Sequence, residues 1–590
     1  MYLRCNSRLK DGKQHRYWNI VESKRCAGGK VVQRQVLYLG EINDSQREAW
    51  CRVIEAFDEQ TQQRTQLALF PAQEELPEYA RDYGVQVRLD RMELHRPRQW
   101  GACWLACHLY EQLQLDQFWA DRLADSRQGT CWRHILQTLV CYRLIDPGSE
   151  WRLHRLWFEK SAMGDLLDED YSLVEKNALY RCLDQVLEHK RALFGHLRDR
   201  WRDLFQAKFD VLLYDLTSTY FESDPPNNPK DKRRYGYSRD KRSDCVQVVI
   251  ALIVTPEGFP LAYEVLAGNT SDKTTLREFL QKIETQYGKA ERIWVMDRGI
   301  PTEDVLTEMR QSDPPVYYLV GTPKGRLTKL EQPLLSLPWQ VVRPGVQVKL
   351  FPQKQELYIL AQSHDRIHKE RAMRQRHLRA LVKRLKQLQQ MKFSSTQKLL
   401  LKLGAAKGQH PAAWRLIDIE IPQSSGPSFS FRLNRQKLRA VRRREGRYLL
   451  RSHICGKEPA ELWQFYIQLV EIEAAFKNLK DDLALRPIHH QLQHRIEAHI
   501  FIAFIAFCLH VTLRARLRRV AGGLTPRAVL DKFAAIQMLD VQFPTTDGRT
   551  LILSRYTEPT TDHKLLLEQL NLVLPPQPPP RITAEHHRVH

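Results

Sequence analysis

The sequence predicts a mixed α/β sheet with flanking helices, carried on a chain of several domains. Three observations predict it. Apolar strand-like runs alternate with amphipathic helices between Phe209 and Val320. Residues 100–205 repeat apolar side chains at three- and four-residue spacing, the period of helices. The 590 residues are too many for one ordinary domain, and 43% hydrophobic content is enough to fill several cores.

The elements follow in order. Tyr17 to Ser23 and Val31 to Leu39 read as strands around Gly28-Gly29, a hairpin signal. A Gln- and Glu-rich stretch to about Leu76 reads as helical, and Pro77 opens a polar connection. In the helical region, Leu105, Leu109 and Leu113 mark one apolar face, and Leu179, Leu183 and Val186 mark another. Trp132, Arg133, Arg143, Arg152, Arg155 and Trp157 interleave bases with aromatics. That pattern suits DNA contact, and it equally suits amphipathic helices packed on a core.

From Phe209 the reading is β-β-β-α-β-α-β. Phe209 to Asp215 is a short apolar strand ending in a carboxylate. Cys245 to Thr255 and Phe259 to Leu266 form a hairpin across Glu257-Gly258. Thr274 to Tyr287 is an amphipathic helix, Arg292 to Asp297 a second strand ending in Asp, Pro301 to Arg310 a helix, and Val316 to Val320 a fifth strand. Some 140 residues then precede the next distinctive motif, too many for a structureless connection, so an inserted subdomain, mainly β, is expected at 325–457. Helix resumes from Glu458. The Pro-rich stretch Pro575 to Pro580 reads as an extended or flexible end. The expected divisions are 1–95 (hairpin and linker), 96–206 (helical, DNA-end binding), 207–324 (first part of the core), 325–457 (insertion), 458–522 (core completion) and 523–590 (C-terminal region, a candidate for oligomerisation).

Lys+Arg number 91 against 69 Asp+Glu, a formal net charge of +22, which favours a polyanionic partner such as nucleic acid. Met1 to Arg16 is polar and charged, with no secretory pattern. Ile500 to Leu513 is the most apolar run, and at 14 residues it suits a buried core helix better than a membrane span. A cytoplasmic protein with no membrane partner is therefore expected. The eleven Cys contain no C-x-x-C pair and read as reduced; Cys103 and Cys107 read as core residues. His586, His587 and His590 read as a polar tail.

Asp215 and Asp297 share one local grammar, each closing an apolar strand before a polar turn. Leu213 with Asp215, and Val295 with Asp297, fall on the same strand face. A carboxylate there costs desolvation unless a positive charge offsets it, and a divalent metal would. In open α/β sheets, ligands collect at the carboxyl ends of strands. A single Asp at a strand end is also an ordinary turn former or cap. The third carboxylate lies in Leu462 to Lys480. As one helix, this places Tyr466, Glu473 and Lys480 seven apart on a single stripe, with Leu462, Leu469, Ile472 and Phe476 sharing or bordering it. The stripe is expected to face protein, with Glu471 solvated. Glu473 is a candidate metal ligand, and Tyr466 and Lys480 are candidate phosphate contacts; a structural Glu–Lys pair would give the same pattern. Oxygen-only ligands point to Mg²⁺ or Mn²⁺. Two basic runs, Lys230 to Arg242 (with Arg239, Lys241, Arg242 and two tyrosines) and Arg435 to Arg447, are candidates for the phosphate backbone.

At these residues the chain resembles the DDE transposases of bacterial insertion sequences, the cut-and-paste group with a large insertion before the catalytic Glu. The matching pieces are Tyr214 to Glu222, Gly236 to Asp244, Gly268 to Asp272, Asp297-Arg298-Gly299, Tyr466 to Lys480, Leu485 to His489 and Arg495 to His499, with a weaker match at Val36 to Gly40. The resemblance implies an RNase H-like core and a catalytic metal-binding triad of Asp215, Asp297 and Glu473 holding Mg²⁺ or Mn²⁺, two ions per site. It implies double-stranded DNA as partner, both the element's terminal inverted repeats and target DNA, and a homodimer on paired ends. Where the group often has Arg three residues after the Tyr, this chain has Leu469, so Lys477 or Arg298 is the candidate replacement. Two other readings stay open on the residues alone: an RNase H-like nuclease that only hydrolyses DNA, and a catalytically silent DNA-binding repressor.

Overall fold

The computed structural model describes residues 2–583 apart from 11–12, 26–30, 42–52, 60, 73–75, 77–81, 83, 128, 271, 288–291, 298–300, 323–329, 331–332, 335, 354, 423–426 and 455–457. The chain forms two units, one of Met1–Ala207, Ser218–Val248 and Ala475–His590, the other of Lys208–Thr217 and Val249–Ala474.

In the first unit, β1 (Tyr2–Lys10), β2 (Lys13–Arg25) and β3 (Val31–Glu41) pair antiparallel. The Gly28-Gly29 turn lies outside the described residues. β4 (Val53–Asp58), β5 (Gln63–Pro71), β6 (Gly84–Val87) and β7 (Glu93–Gln99) follow. The helix expected before Leu76 is therefore replaced by strands in its described part. Leu67, Ala68 and Phe70 of β5 are buried, β5 pairs with its neighbours β4 and β6, and β4 also pairs with distant β21, so sheet pairing and burial override local helix propensity.

Helices α1 (Gly101–Gln112), α2 (Leu115–Ala120), α3 (Trp132–Ile145), α4 (Lys176–Gln185) and α5 (Lys190–Phe205) come next. Gly101 opens α1 where a Cβ would stand 2.3 Å from the Phe533 carbonyl oxygen, so only glycine fits. The interleaved bases and aromatics here are largely interior. Trp132, Arg143 and Trp157 are buried, and Arg152 forks onto Asp146 at 3.0 and 2.7 Å. Packing, not DNA, uses most of that pattern; Arg155 stays exposed, over the ring of exposed Trp151.

The second unit is built on a nine-stranded sheet. Its strands are β8 (Val211–Phe221), β9 (Val246–Val254), β10 (Pro260–Ala267), β11 (Ile293–Met296), β12 (Tyr317–Gly321), β13 (Gln340–Arg343), β14 (Val346–Gln353), β15 (Glu356–Ser363) and, after an excursion, β18 (Arg447–Ser452). β8 and β9 pass between the two units. The sheet order is β10-β9-β8-β11-β12-β18-β15-β14-β13, with β8, β11 and β12 parallel. The first five strands thus stand in the order 3-2-1-4-5, the mixed α/β arrangement of an RNase H-like core. The β9–β10 turn closes with Gly258 at φ +94°, in the left-handed region that glycine enters without cost. Helices α6 (Asp272–Tyr287) and α7 (Glu303–Gln311) accompany it.

The insertion does not form a separate mainly β body. Its strands β13, β14, β15 and β18 extend the central sheet, because β18 pairs antiparallel with both β12 and β15. The excursion is mostly helical: α8 (His364–Gln390) and α9 (Thr396–Gln409) precede the short pair β16 (Ile417–Glu420) and β17 (Ser430–Leu433), then α10 (Arg435–Arg444). The basic run Arg366 to Met391 reads as helical from the sequence and lies within α8, whose Leu381, Leu385 and Leu388 pack with Leu399 and Leu403 of α9, an apolar period that is helical beneath the heavy charge. α11 (Pro459–Ile467) and α12 (Leu469–Lys477) close the unit.

Back in the first unit, α13 (Gln493–Val520) is the one described helix long and apolar enough to cross a membrane, and it is almost wholly buried, as a core helix is. After α14 (Pro526–Phe533), β19 (Gln537–Pro544), β20 (Thr550–Tyr556), α15 (Thr561–Gln569) and β21 (Arg581–Ile582) complete a seven-stranded sheet of order β6-β5-β4-β21-β20-β19-β7. The Pro-rich stretch is not a flexible end. Tyr556 and Gln577 exchange two hydrogen bonds of 3.0 Å, the Phe57 amide donates to the Pro580 carbonyl at 2.9 Å, and β21 sits between β4 and β20.

Candidate active site

Register brings two of the three carboxylates together. β8 and β11 run parallel with Ile293 opposite Val211 and Met296 opposite Tyr214. The next residue on each strand is Asp. Asp215 and Asp297 therefore stand level, on the same face, about one strand spacing (~4.8 Å) apart by backbone. Tyr214, on the opposite face, packs against Phe279 of α6 with ring centroids 5.4 Å apart. Asp297 leaves the end of β11 and is exposed, whereas Asp215 is half-buried and its Oδ1 accepts the Leu216 amide at 2.8 Å. Only Asp297 closes its strand. β8 runs on through Leu216 to Phe221, because Thr217, Ser218 and Thr219 are buried and suit an extended backbone.

Glu473 lies on α12, in the same unit as the Asp pair. The single helix expected from Leu462 to Lys480 is broken twice, at Gln468 between α11 and α12 and at a π-turn, Asn478–Asp482. The first break offsets Glu473 from Tyr466, and the second offsets Lys480 from Glu473. Ile472, Ala475, Phe476 and Leu479 form the buried face, Glu473 is exposed, and Glu471, expected in solvent, is half-buried. Carboxylate oxygens suit a hard divalent cation.

The candidate phosphate contacts are dispersed. Half-buried Tyr466 packs beside Trp463 and Tyr448, both at 6.2 Å between centroids. Lys480 is nine-tenths buried and donates to Asp240 Oδ1 at 2.9 Å; Arg486 binds the same oxygen and also Asp481 at 3.0 Å. Burial lowers the Lys480 ammonium below its ordinary range, and Arg486 and Arg239 push the same way, against the pull of Asp240. Asp240 Oδ2 is buried with no hydrogen-bond partner among the described residues. Sequence reasoning missed Asp240 and Arg486 as a pair; both lie in quoted motifs, but 240 residues separate Asp240 from Lys480.

In the loop between β8 and β9, Arg242 binds Glu222 at 2.8 Å and Asp244 at 3.0 Å, Lys232 binds Glu497 at 2.7 Å, and Arg233 binds Asp231 at 2.9 Å. The Arg239 amide donates to Ser218 Oγ at 3.3 Å. Lys241 is exposed with φ +60°; Lys477, at the end of α12, is exposed too. Arg298 lies outside the described residues.

Comparison with known families decides what this core belongs to. Residues 206–509, just over half of the chain, match the transposase DDE domain. The chain belongs to the DDE transposases. Residues 3–69 also match the N-terminal domain of IS1634 family transposases, so this is an insertion-sequence transposase, an enzyme that cuts DNA and transfers strands. Such domains use divalent metal ions. Among solved structures, the transposase is similar to a piggyBac transposase synaptic complex with hairpin DNA, at 9% identity over 73% of this chain and 77% of that one, with a TM-score of 0.33, too low to carry any argument. No curated protein matches it.

Proposed function

We propose that Asp215, Asp297 and Glu473 are the catalytic triad of this transposase and hold Mg²⁺ or Mn²⁺, two ions per site. The in-register Asp pair carries the reading: two carboxylates one strand apart repel each other, and a dication between them removes that cost. Two such ions would supply a water nucleophile at neutral pH and stabilise the leaving oxygen of an in-line displacement. The chain's own residues do the rest. The parallel strands set the backbones of the two Asp residues side by side, and Glu473, exposed on α12, would supply the third carboxylate. Tyr466 and Lys480 hold a phosphate of the transferred end, with Lys477, Arg298, Arg239, Lys241 and Arg242 as supporting cations. The DNA bound is the element's terminal inverted repeat and then the target, and the working form is a homodimer on paired ends. The freed 3′-OH attacks a phosphodiester; one P–O bond forms as another breaks, and the displaced strand leaves with the proton supplied by water.

The test uses the purified full chain with labelled DNA carrying the element's terminal repeat and Mg²⁺ or Mn²⁺, beside Asp297→Ala. Cleavage at the repeat boundary with joined products, both lost in the variant, is the expected result. Cleavage without joining would favour a purely hydrolytic nuclease. Binding without cleavage under either metal would overturn the catalytic reading.

A further inference from the structure

Away from the triad, the first unit gathers a thiol, an imidazole and two carboxylates at the entrance to α3. Cys131 is the N-cap residue of α3 and His134 lies in its first turn, a C-x-x-H spacing that points both side chains out of one helix end. Glu169 arrives from the chain beyond Met163–Leu167. The ligand atoms of Cys131, His134 and Glu169 all lie within 4.8 Å of one another, each residue half-buried and so reachable. The Cys131 sulfur lies near the His134 backbone amide and against the Asp125 carboxylate.

The backbone is built to hold this arrangement. Ser126 and Thr130 close a tight turn, amide to carbonyl at 3.0 Å and Thr130 amide to Ser126 Oγ at 2.9 Å, with Gly129 at φ +80°; the turn sends Asp125 back toward Cys131. On the other side, the Glu169 amide donates to the Gly164 carbonyl at 2.9 Å. A Cβ at Gly164 would meet the Glu169 carbonyl oxygen at 2.7 Å, and Asp168 adopts φ +53°. Two constrained turns therefore aim their carboxylates at one helix end.

We propose that Cys131, His134, Glu169 and Asp125 form a zinc site that staples the α2–α3 turn and the Glu169 loop to α3. A mixed sulfur, nitrogen and oxygen set suits Zn²⁺ and not the hard ions of the triad. Charge supports it. One thiolate and two carboxylates against a dication leave −1, and Arg133, 3.8 Å from Asp125, offsets that. Without metal, His134 Nδ1 and Glu169 Oε1 share a proton at 2.6 Å. Zinc takes the place of that proton and of the Cys131 thiol proton, so binding releases protons to solvent and needs no redox partner. The other His-containing cluster among the described residues, Glu150, His490 and His499, is already served by a cation: Arg143 stands 4.0 Å from Glu150 and 3.4 Å from His499.

The full-length transposase is loaded with Zn²⁺, desalted, and its zinc measured by mass spectrometry; Cd²⁺ is titrated in parallel and thiolate-to-cadmium absorption followed. About one zinc per chain is expected, with the cadmium band lost in Cys131→Ser, which keeps a competent N-cap. Glu169→Gln should weaken binding by about tenfold or more. Asp297→Asn should leave zinc unchanged, separating this site from the triad, and the tail histidines cannot give a thiolate band. A wild-type chain that keeps no zinc, or a Cys131→Ser/His134→Gln chain that keeps it with an unchanged band, would overturn the proposal.

Discussion

Replacing Asp297 by Asn should move stability in opposite directions with and without metal. Asp215 and Asp297 each follow the last paired residues, Tyr214 and Met296, of adjacent parallel strands. At ~4.8 Å, two like charges repel by about 3.5 kcal/mol at an effective dielectric of ~20 and by about 0.9 kcal/mol in water. Asp297 is exposed and Asp215 half-buried, so the lower part of that range applies, roughly 1–2 kcal/mol. In chelator the amide removes the repulsion, and the variant should unfold at an equal or higher temperature than the wild type. With millimolar Mn²⁺ the wild type should gain stability by mass action and the variant should not. The assay is a thermal unfolding series in chelator and in rising Mn²⁺, with cleavage of terminal-repeat DNA measured on the same samples. A variant that is less stable in chelator, or that responds to Mn²⁺ as the wild type does, would refute the pairing of these carboxylates around a cation.

Three further outcomes are expected. Asp240→Asn unmasks Lys480 and Arg486, so terminal-repeat DNA should bind more tightly at low salt with a salt slope steeper by about one; weaker binding by a normally folded variant would mean that Asp240 positions the two cations instead. Arg98→Met strands Asp540 in the seven-stranded sheet, where Arg98 Nη2 binds it at 3.0 Å and both side chains are almost fully buried, at a cost of roughly 3–5 kcal/mol, read as faster amide exchange in β7 and β19. Burial pushes the Asp540 carboxyl up, but Arg98 and Ser554 outweigh it and hold it below its usual range; the contribution is present above the unfolded pKa and fades as pH falls through the folded one, so the gap between wild type and variant should shrink in acid. Arg439→Glu with Arg443→Glu on exposed α10 should weaken DNA binding uniformly across sequences and flatten the salt dependence, measured by titration at several salt concentrations.

What the sequence made legible was local. A short apolar run leading to a carboxylate marked β8 and β11, and Glu257-Gly258 marked the turn after β9. Pairing across long separations was not legible. Nothing near Val53 announces that β4 lies beside β21, more than 500 residues on, and nothing near Gln340 announces that the insertion joins the central sheet through β18. The helix from Leu462 to Lys480 failed for a subtler reason. Its composition is helical throughout, and the break at Gln468 offsets Glu473 from Tyr466 while the π-turn offsets Lys480 from Glu473, leaving Glu473 exposed and Glu471 half-buried. A projection at 100° per residue assumes an unbroken helix.

The charge of the chain must also be read by partner and not by run. The Lys230 to Arg242 segment looks like the stronger phosphate-binding loop because tyrosines lie among its cations. In the folded chain Lys232, Arg233 and Arg242 each hold a carboxylate, so three of its seven cations are already compensated. On α10, Arg435, Arg439, Arg442 and Arg443 are exposed on one short helix, and its Lys437 is tied to Asp418. Counterion release scales with the phosphates that newly met cations neutralise, not with cations that already have a partner. The insertion helix should therefore contribute more to the salt dependence of DNA binding than the loop beside β8, even though the loop belongs to the motifs by which the family is recognised.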